Sequence, residues 1–446
     1  MLITSLERQL ALTQSECQCA GVTSPRAGAI WGRAKNATAT TVDLMEASEL
    51  TQLLTPEALR LLADLPPYES ETDVLALVSR LRKEGHAPGL VATVLTQARL
   101  RKKAVAKFGP FAARLLFTQA GLEQATRLEV AAQHAGRFAA AGCHRVADLG
   151  CGLGADSLAL ASLGISVLAV ERDEVTAALA AFNLSSFPEV AVELGEATQA
   201  NLDDVDGVFL DPARRTSGHS NTTRQFNADD WSPSLTFALA TARAATAGGI
   251  KLGPGTDREL IPDDAEAQWI AVGDDVVEMG LWFGRAKREG ISRSALILTP
   301  EGNNELVAAG DAPDAPVGEL ARYVYEPNGA VIRAHLIGEV ARSLGGHMLD
   351  GSIAYITTDS PAATPFARGF EILETTTVDA RAISRALATH DIGRVEIKKR
   401  GIDIDPAEFR KKLTLTGSSD GVVILTRVGE KRVALIARRL DDRVEI

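Results

Sequence analysis

The sequence predicts an α/β protein: a doubly wound sheet preceded by a helical domain and followed by a smaller α+β region. Three observations carry that expectation. From Arg145 to about Pro300, short apolar runs alternate with helical stretches, as in a parallel sheet with helices on both faces. Between Glu46 and about Lys107, leucines recur at helical spacing. Beyond a Gly/Pro/Asp-rich joint at Pro300–Pro316, strand and helix signals mix. A chain of 446 residues exceeds one ordinary core. The expected division is a poorly structured extension over 1–42, a helical domain over 43–115, the sheet domain over 116–300 and the α+β region over 301–446.

In the helical domain, Leu50, Leu53, Leu54, Leu59, Leu61, Leu62 and Leu65 form a first run that Pro66 and Pro67 stop. A second helix begins near Thr72, and a third from Ala87 ends in Arg99, Arg101, Lys102, Lys103 and Lys107. That basic end reads either as a solvated face suited to a helix C-terminus or as a nucleic-acid contact. The sheet strands are Val146–Leu149, Ser166–Val170, Val190–Glu193, Gly207–Leu210 and Gly249–Leu252. Two longer runs, Val276–Phe283 and Ser294–Leu298, have no helix between them and suggest an antiparallel pair at the sheet edge. The last region predicts a helix at Val378–His390, a strand at Arg394–Lys398, a helix at Pro406–Leu413 and strands at Gly421–Arg427 and Arg432–Arg438.

Composition narrows the class. The chain is 46% hydrophobic and 24% charged, with a formal net charge of −11. That balance argues against a surface coated for nonspecific nucleic-acid binding, although basic residues outnumber acids from Arg394 to Arg439. Four cysteines, none in a Cys-x-x-Cys pair, make no disulfide framework, and seven scattered histidines suggest no metal site. No run reaches the roughly 18 apolar residues of a membrane span, and the start lacks a secretory layout. A reduced, cytoplasmic protein without membrane contact is the expectation.

The strongest local signal runs from Val146 to Ser157, where a buried strand leads into Gly150, Gly152 and Gly154 and then a helix. Glycines let the chain turn sharply and let a ligand approach its backbone. Asp148 at the strand end can accept hydrogen bonds from loop amides or from a methionine amine. The second strand ends in Glu171, whose carboxylate can take both ribose hydroxyls and excludes a 2′-phosphate. The glycine spacing also satisfies a dinucleotide fingerprint. Three features shift the reading toward S-adenosyl-L-methionine: Asp148 two residues before the glycines, Glu196 after the third strand facing an adenine amine, and Asp211-Pro212-Ala213-Arg214-Arg215 ending the fourth.

Chemistry in such a sheet sits beyond the carboxyl ends of its strands, where Asp211 and Pro212 fall. Proline fixes the backbone so that the carboxylate and nearby carbonyls can face one ligand. An exocyclic base amine is a poor nucleophile, and acceptors gripping its N–H groups would hold its lone pair toward a sulfonium methyl.

Together, the run Asp-Leu-Gly-Cys-Gly-Leu-Gly, Glu171 and Asp211-Pro-Ala-Arg strongly resemble the class I methyltransferases (Rossmann-like). More narrowly, the chain resembles the bacterial members that carry a C-terminal THUMP-like domain. Phe117–Arg127, Asp211–Arg215, Tyr325–Arg333 and Val395–Gly401 carry that likeness, which covers roughly residues 50–440. The helical domain before the sheet is also similar to that of trimethylguanosine synthases. The resemblance implies an RNA partner, tRNA or rRNA, and Lys398, Lys399 and Arg400 would suit its phosphates. Here Ala213 and Arg214 stand where amine-methylating relatives have a second proline and a stacking aromatic. Arg214 can stack on a base or hold a phosphate, Arg215 can bind substrate, and Phe226 or Trp231 can offer a ring or serve the core. No Cys follows Cys151, which speaks against C5-methylation of a pyrimidine.

The resulting expectation is a methyltransferase acting on a base nitrogen of RNA, with Asp211, Pro212 and Arg214 as catalytic residues. The alternatives are a small-molecule or protein methyltransferase, a non-catalytic RNA-binding protein on the same fold, and a nucleotide-dependent oxidoreductase.

Overall fold

The computed structural model describes residues 45, 47–66, 71–214 and 231–440; the expectations for 1–42, Arg215 and Phe226 lie outside them. The described chain divides into two compact units. One holds residues up to Lys251 together with Trp282–Lys287, and the other holds Leu252–Leu281 with residues from Arg288 onward.

The first unit opens with α1 (Ala47–Leu53), α2 (Pro56–Asp64), α3 (Glu71–Lys83) and α4 (Pro88–Phe108). The leucine run before Pro66 is two helices, not one. Pro56 cannot continue α1, and Thr55 caps the new start by accepting from the Ala58 amide at 3.2 Å. Helices α5 (Gln119–Gln124) and α6 (Leu128–Ala140) lead into β1 (Arg145–Leu149), α7 (Ala155–Ala161), β2 (Ser166–Glu171), α8 (Glu174–Asn183), β3 (Val190–Leu194) and β4 (Gly207–Leu210). The two-residue strands β5 (Ala213–Arg214) and β6 (Trp231–Ser232) pair antiparallel before α9 (Leu235–Ala244) and β7 (Ala247–Leu252).

Strands β7, β4, β1, β2 and β3 lie in that order, and each pairs parallel with its neighbour. Each is entered from the same end, so the carboxyl ends of β1, β2 and β4 share one edge. Val146, Ala147 and Leu149 of β1 are fully buried, as are Leu116, Phe117, Ala135 and Phe138 from the preceding helical segments. One apolar cluster runs from Leu50 of α1 through these residues to Trp282.

The second unit contains β8 (Glu266–Val272), β9 (Asp275–Gly284, whose last three residues belong to the first unit), β10 (Arg293–Thr299) and β11 (Gly302–Ala308). The expected antiparallel pairing of Val276–Phe283 with Ser294–Leu298 does not occur. The two-residue link Gly273–Asp274 makes β9 a hairpin with β8, while β10 pairs parallel with β8 and antiparallel with β11. Strand β8 carries the buried polar residues Glu266 and Gln268, which broke up its apolar signal in the sequence. Part of the joint Pro300–Pro316 is itself strand β11.

The same unit continues with β12 (Tyr323–Pro327), α10 (Gly329–Arg333), α11 (Ile337–Ser343), β13 (His347–Asp350), β14 (Ile353–Thr358), β15 (Ala367–Thr377), α12 (Ala380–Thr389), β16 (Ile392–Lys399), α13 (Pro406–Arg410), β17 (Ser419–Val428) and β18 (Lys431–Arg439). Seven of these strands form a sheet in the order β13-β14-β12-β15-β18-β17-β16. Among the described residues no helix is long and apolar enough to cross a membrane, and no group of three or more His, Cys, Asp or Glu is placed to hold a metal.

Candidate active site

The turn after β1 is shaped by three left-handed glycines, Gly150 at φ 92°, Gly152 at 56° and Gly154 at 86°. A Cβ on Gly154 would lie 2.9 Å from Leu184 Cδ1, whereas one on Gly152 would meet nothing within 4 Å. Gly154 is thus required by packing, while Gly152 faces open space. The amides of Gly150 and Cys151 both donate to the Val170 carbonyl, at 2.9 and 3.1 Å, and the Gly152 amide donates to Glu171 Oε2 at 3.1 Å. Glu171 Oε1 accepts from the Asp173 amide at 2.9 Å. The turn is therefore tied to the end of β2 through backbone and carboxylate together.

A cleft of about 580 Å³ opens over this turn. Gly150, Gly152, Glu171, Glu196 and Asp211 line it; Asp148, Gly154 and Pro212 do not. Asp148 is 1% exposed and accepts from Ser157 Oγ at 2.6 Å. Burial, reinforced by the charge of Asp156, pushes its carboxyl up to about 7. Burial acts upward on Asp156 as well, but hydrogen bonds from His134 and Thr126 and the charges of His134 and Lys251 outweigh it, so that carboxyl sits below its ordinary value. Burial raises the Cys151 thiol well above its ordinary value and Cys143 to about 11, so neither is poised as a thiolate nucleophile.

Asp211 follows β4, and its Oδ2 is met by Lys251 Nζ from β7. Lys251 Nζ also donates to Thr126 Oγ1 at 3.1 Å; Thr126 donates to Asp156 Oδ2 at 2.8 Å, and His134 Nδ1 lies 2.7 Å from Asp156 Oδ1. His134 itself is packed against the Phe209 and Trp282 rings, with centroids 4.8 and 5.8 Å away. Sequence reasoning missed Lys251, Asp156 and His134 as members of the site. The available signals were a lysine near the end of an otherwise apolar strand and an acid in the first turn of α7.

The far wall comes from the segment between α4 and α6, where Thr118, Gly121, Gln124 and Thr126 line the cleft. Buried amide side chains hold it as a strand would. Gln97 exchanges two hydrogen bonds with Phe117, and Asn183 exchanges two with Leu116, while also donating to the Leu153 carbonyl in the glycine turn. The basic end of α4 has a role that neither sequence reading foresaw. Arg101 donates to the Leu115 carbonyl at 2.9 Å, and Lys107 donates to the Glu123 and Ala125 carbonyls, both at 2.7 Å. These cations clamp the cleft wall.

The remaining expected site residues fall elsewhere. Arg214 lies on β5 opposite Trp231, and Trp231 is 3% exposed, a core position rather than an open stacking face. Lys398, Lys399 and Arg400 belong to the second unit. Lys398 is paired with Glu326 at 2.6 Å and Glu396 at 3.4 Å, and Arg400 lies 3.5 Å from Glu326, so their charge is met internally. Lys399 is exposed.

Comparisons with known proteins bear on this geometry. A family model described as THUMP domain-like matches residues 367–439, and one described as a domain of unknown function matches residues 46–104. Two uncharacterized S-adenosylmethionine-dependent methyltransferases of Mycobacterium tuberculosis, from strains CDC 1551 and H37Rv, are each 33% identical over 359 residues, covering 78% of this chain and 95% of theirs. The crystal structure of a candidate methyltransferase from Porphyromonas gingivalis W83 shares the fold, with a TM-score of 0.67 at 20% identity over 90% of this chain and 100% of that one.

Proposed function

The chain belongs to the S-adenosylmethionine-dependent methyltransferases, and we propose that it methylates a base nitrogen of RNA. One observation carries this reading: the Asp211 carboxylate opens on the same cleft as Gly150, Gly152 and Glu171. The residues present fit the cofactor. Open space over Gly152 leaves room for a ligand against the backbone, and each Glu171 oxygen keeps acceptor capacity beyond the amide it already takes. When bound, S-adenosylmethionine supplies an electrophilic methyl group.

In this reading Gly150 and Gly152 admit the cofactor, Gly154 shapes the turn, Glu171 holds the ribose hydroxyls and Glu196 meets the adenine amine. Asp148, buried behind the turn, serves the methionine amine through the loop. Asp211 accepts from the N–H of the target nitrogen and stabilises charge developing there, with Pro212 fixing its backbone. Arg214 and Arg215 hold the base or its phosphate. Residues 43–115, 116–300 and 301–446 act as helical, catalytic and RNA-holding parts. RNA is favoured by the THUMP domain-like match, since such domains accompany RNA-modifying enzymes. Of the basic trio, Lys399 has the exposure to reach a phosphate first. The net charge of −11 favours a second reading, a protein or small-molecule acceptor.

The test is transfer of labelled methyl from S-adenosylmethionine to total RNA depleted of the native modification. Label in one RNA size class supports the proposal, and binding to that RNA should weaken steeply with salt. No label in RNA, with cofactor binding demonstrated, overturns it in favour of the second reading.

A further inference from the structure

An ammonium buried in a protein is costly unless it is paired and hydrogen-bonded, so a sequestered lysine beside a reactive carboxylate calls for a reason. The Lys251 side chain is 14% exposed, against 34% for Asp211, and only Asp211 lines the cleft. Lysine is a donor only, so its contact with Thr126 Oγ1 makes that hydroxyl an acceptor. The single Thr126 proton then points to Asp156 Oδ2. Asp156, its carboxyl held below the ordinary range, accepts at Oδ1 from His134 Nδ1. Every donor and acceptor in this row therefore has one assigned role: Lys251 donates to Thr126, and Thr126 and buried His134 both donate to Asp156.

We propose that Lys251 is a positioning residue for methyl transfer: braced by Thr126 and the Asp156–His134 pair, it holds one oxygen of Asp211 and so orients that carboxylate toward the acceptor nitrogen. The inference rests on the reading of Asp211 as the group that grips the nitrogen. The row also sets an electrostatic balance. A carboxylate without this ammonium would stabilise charge developing on nitrogen more strongly, but it would lose a contact that fixes its direction. The ammonium gives up part of that attraction in return for a fixed direction, and alignment to within a fraction of an ångström governs such reactions.

Four variants test this: Lys251→Met, Lys251→Arg, Asp211→Asn and the Lys251→Met/Asp211→Asn double. With RNA as acceptor, Lys251→Met should lower kcat roughly 10- to 100-fold while the KM for S-adenosylmethionine stays within about threefold. Lys251→Arg should recover part of the loss, and the double variant should be no slower than Asp211→Asn alone. A kcat for Lys251→Met equal to or above wild type overturns the inference. A second readout needs no acceptor: the carboxyl ¹³C resonance of Asp211, titrated in full-length protein. Its midpoint should rise by about one unit or more in Lys251→Met and return toward wild type in Lys251→Arg. An unmoved midpoint overturns the inference whichever acceptor the enzyme uses. A moved midpoint in a protein that labels no RNA upholds the Lys251–Asp211 coupling and overturns the RNA reading alone.

Discussion

The Gly152 amide donates to Glu171 Oε2 at 3.1 Å, so the glycine turn after β1 and the acid ending β2 form one preassembled corner of the cleft. The same carboxylate takes the Asp173 amide with its other oxygen. Its orientation is thus set by backbone groups, independently of any ligand.

Glu171→Ala removes both the ribose acceptor and this brace. Affinity for S-adenosylmethionine should fall by about 10-fold or more, corresponding to the loss of one or two charge-assisted hydrogen bonds. Isothermal titration calorimetry checks it. Affinity within twofold of wild type would remove Glu171 from the cofactor site.

Gly152→Ala and Gly154→Ala should fail differently. Both carry the strain of a left-handed alanine, about 1–2 kcal/mol. Only at Gly154 does the new methyl also press on Leu184, which is 2% exposed, so that variant should melt several degrees lower than Gly152→Ala. Gly152→Ala should instead lose more cofactor affinity than its change in Tm accounts for. Equal effects on both measurements would contradict the assignment of the open side of the turn.

Asp211→Ala should reduce methyl transfer by about 100-fold or more while the Kd for S-adenosylmethionine changes by less than about threefold. Single-turnover rates and equilibrium binding separate the two. Undiminished turnover would exclude Asp211 from the reaction.

Asp148 gives a pH signature. Its folded carboxyl, pushed up to about 7, stays protonated where the unfolded one, near 3.9, is already ionised. A raised acid contributes stability that is full below the unfolded value and lost as pH rises to the folded one. The groups acting on it are Asp156, Ser157, Asp211 and Lys251. Asp148→Asn cannot ionise, so relative to wild type its Tm should improve from pH 5 to about pH 7 and level off above that. A constant difference across that range would show that Asp148 does not titrate there.

Lys107→Met should loosen the 115–125 wall. The expected result is a higher KM for S-adenosylmethionine, by about 10-fold from the loss of charged hydrogen bonds to two carbonyls. The salt slope of RNA binding should not change. A slope reduced by about one unit would instead make Lys107 a phosphate contact.

Much of this architecture was legible in the chain. Runs such as Gly207–Leu210 are wholly apolar and bounded by polar turns, so burial on both faces announced them as sheet interior. The clustered glycines and Glu171 were equally plain, because backbone demands of that kind admit few residue types. Strand β8 was not, since Glu266 and Gln268 interrupt its pattern and are satisfied by distant partners. Arg288 reaches Glu266 across 22 positions, and Gln268 Nε2 donates to Glu305 across 37.

By itself the sequence determined the local chemistry of the site: where the chain turns, which strand ends carry acids, and which family the pattern resembles. Only the tertiary structure decided what the charges do. Lys251 and Asp211 are 40 positions apart, His134 and Asp156 are 22 apart, and Lys107 reaches Ala125 across 18. A charge's partner depends on distance in space and on the water excluded around it, and neither follows from spacing along the chain. Hence the same basic residue type became a clamp at Lys107, a brace at Lys251 and an internal counter-ion at Lys398.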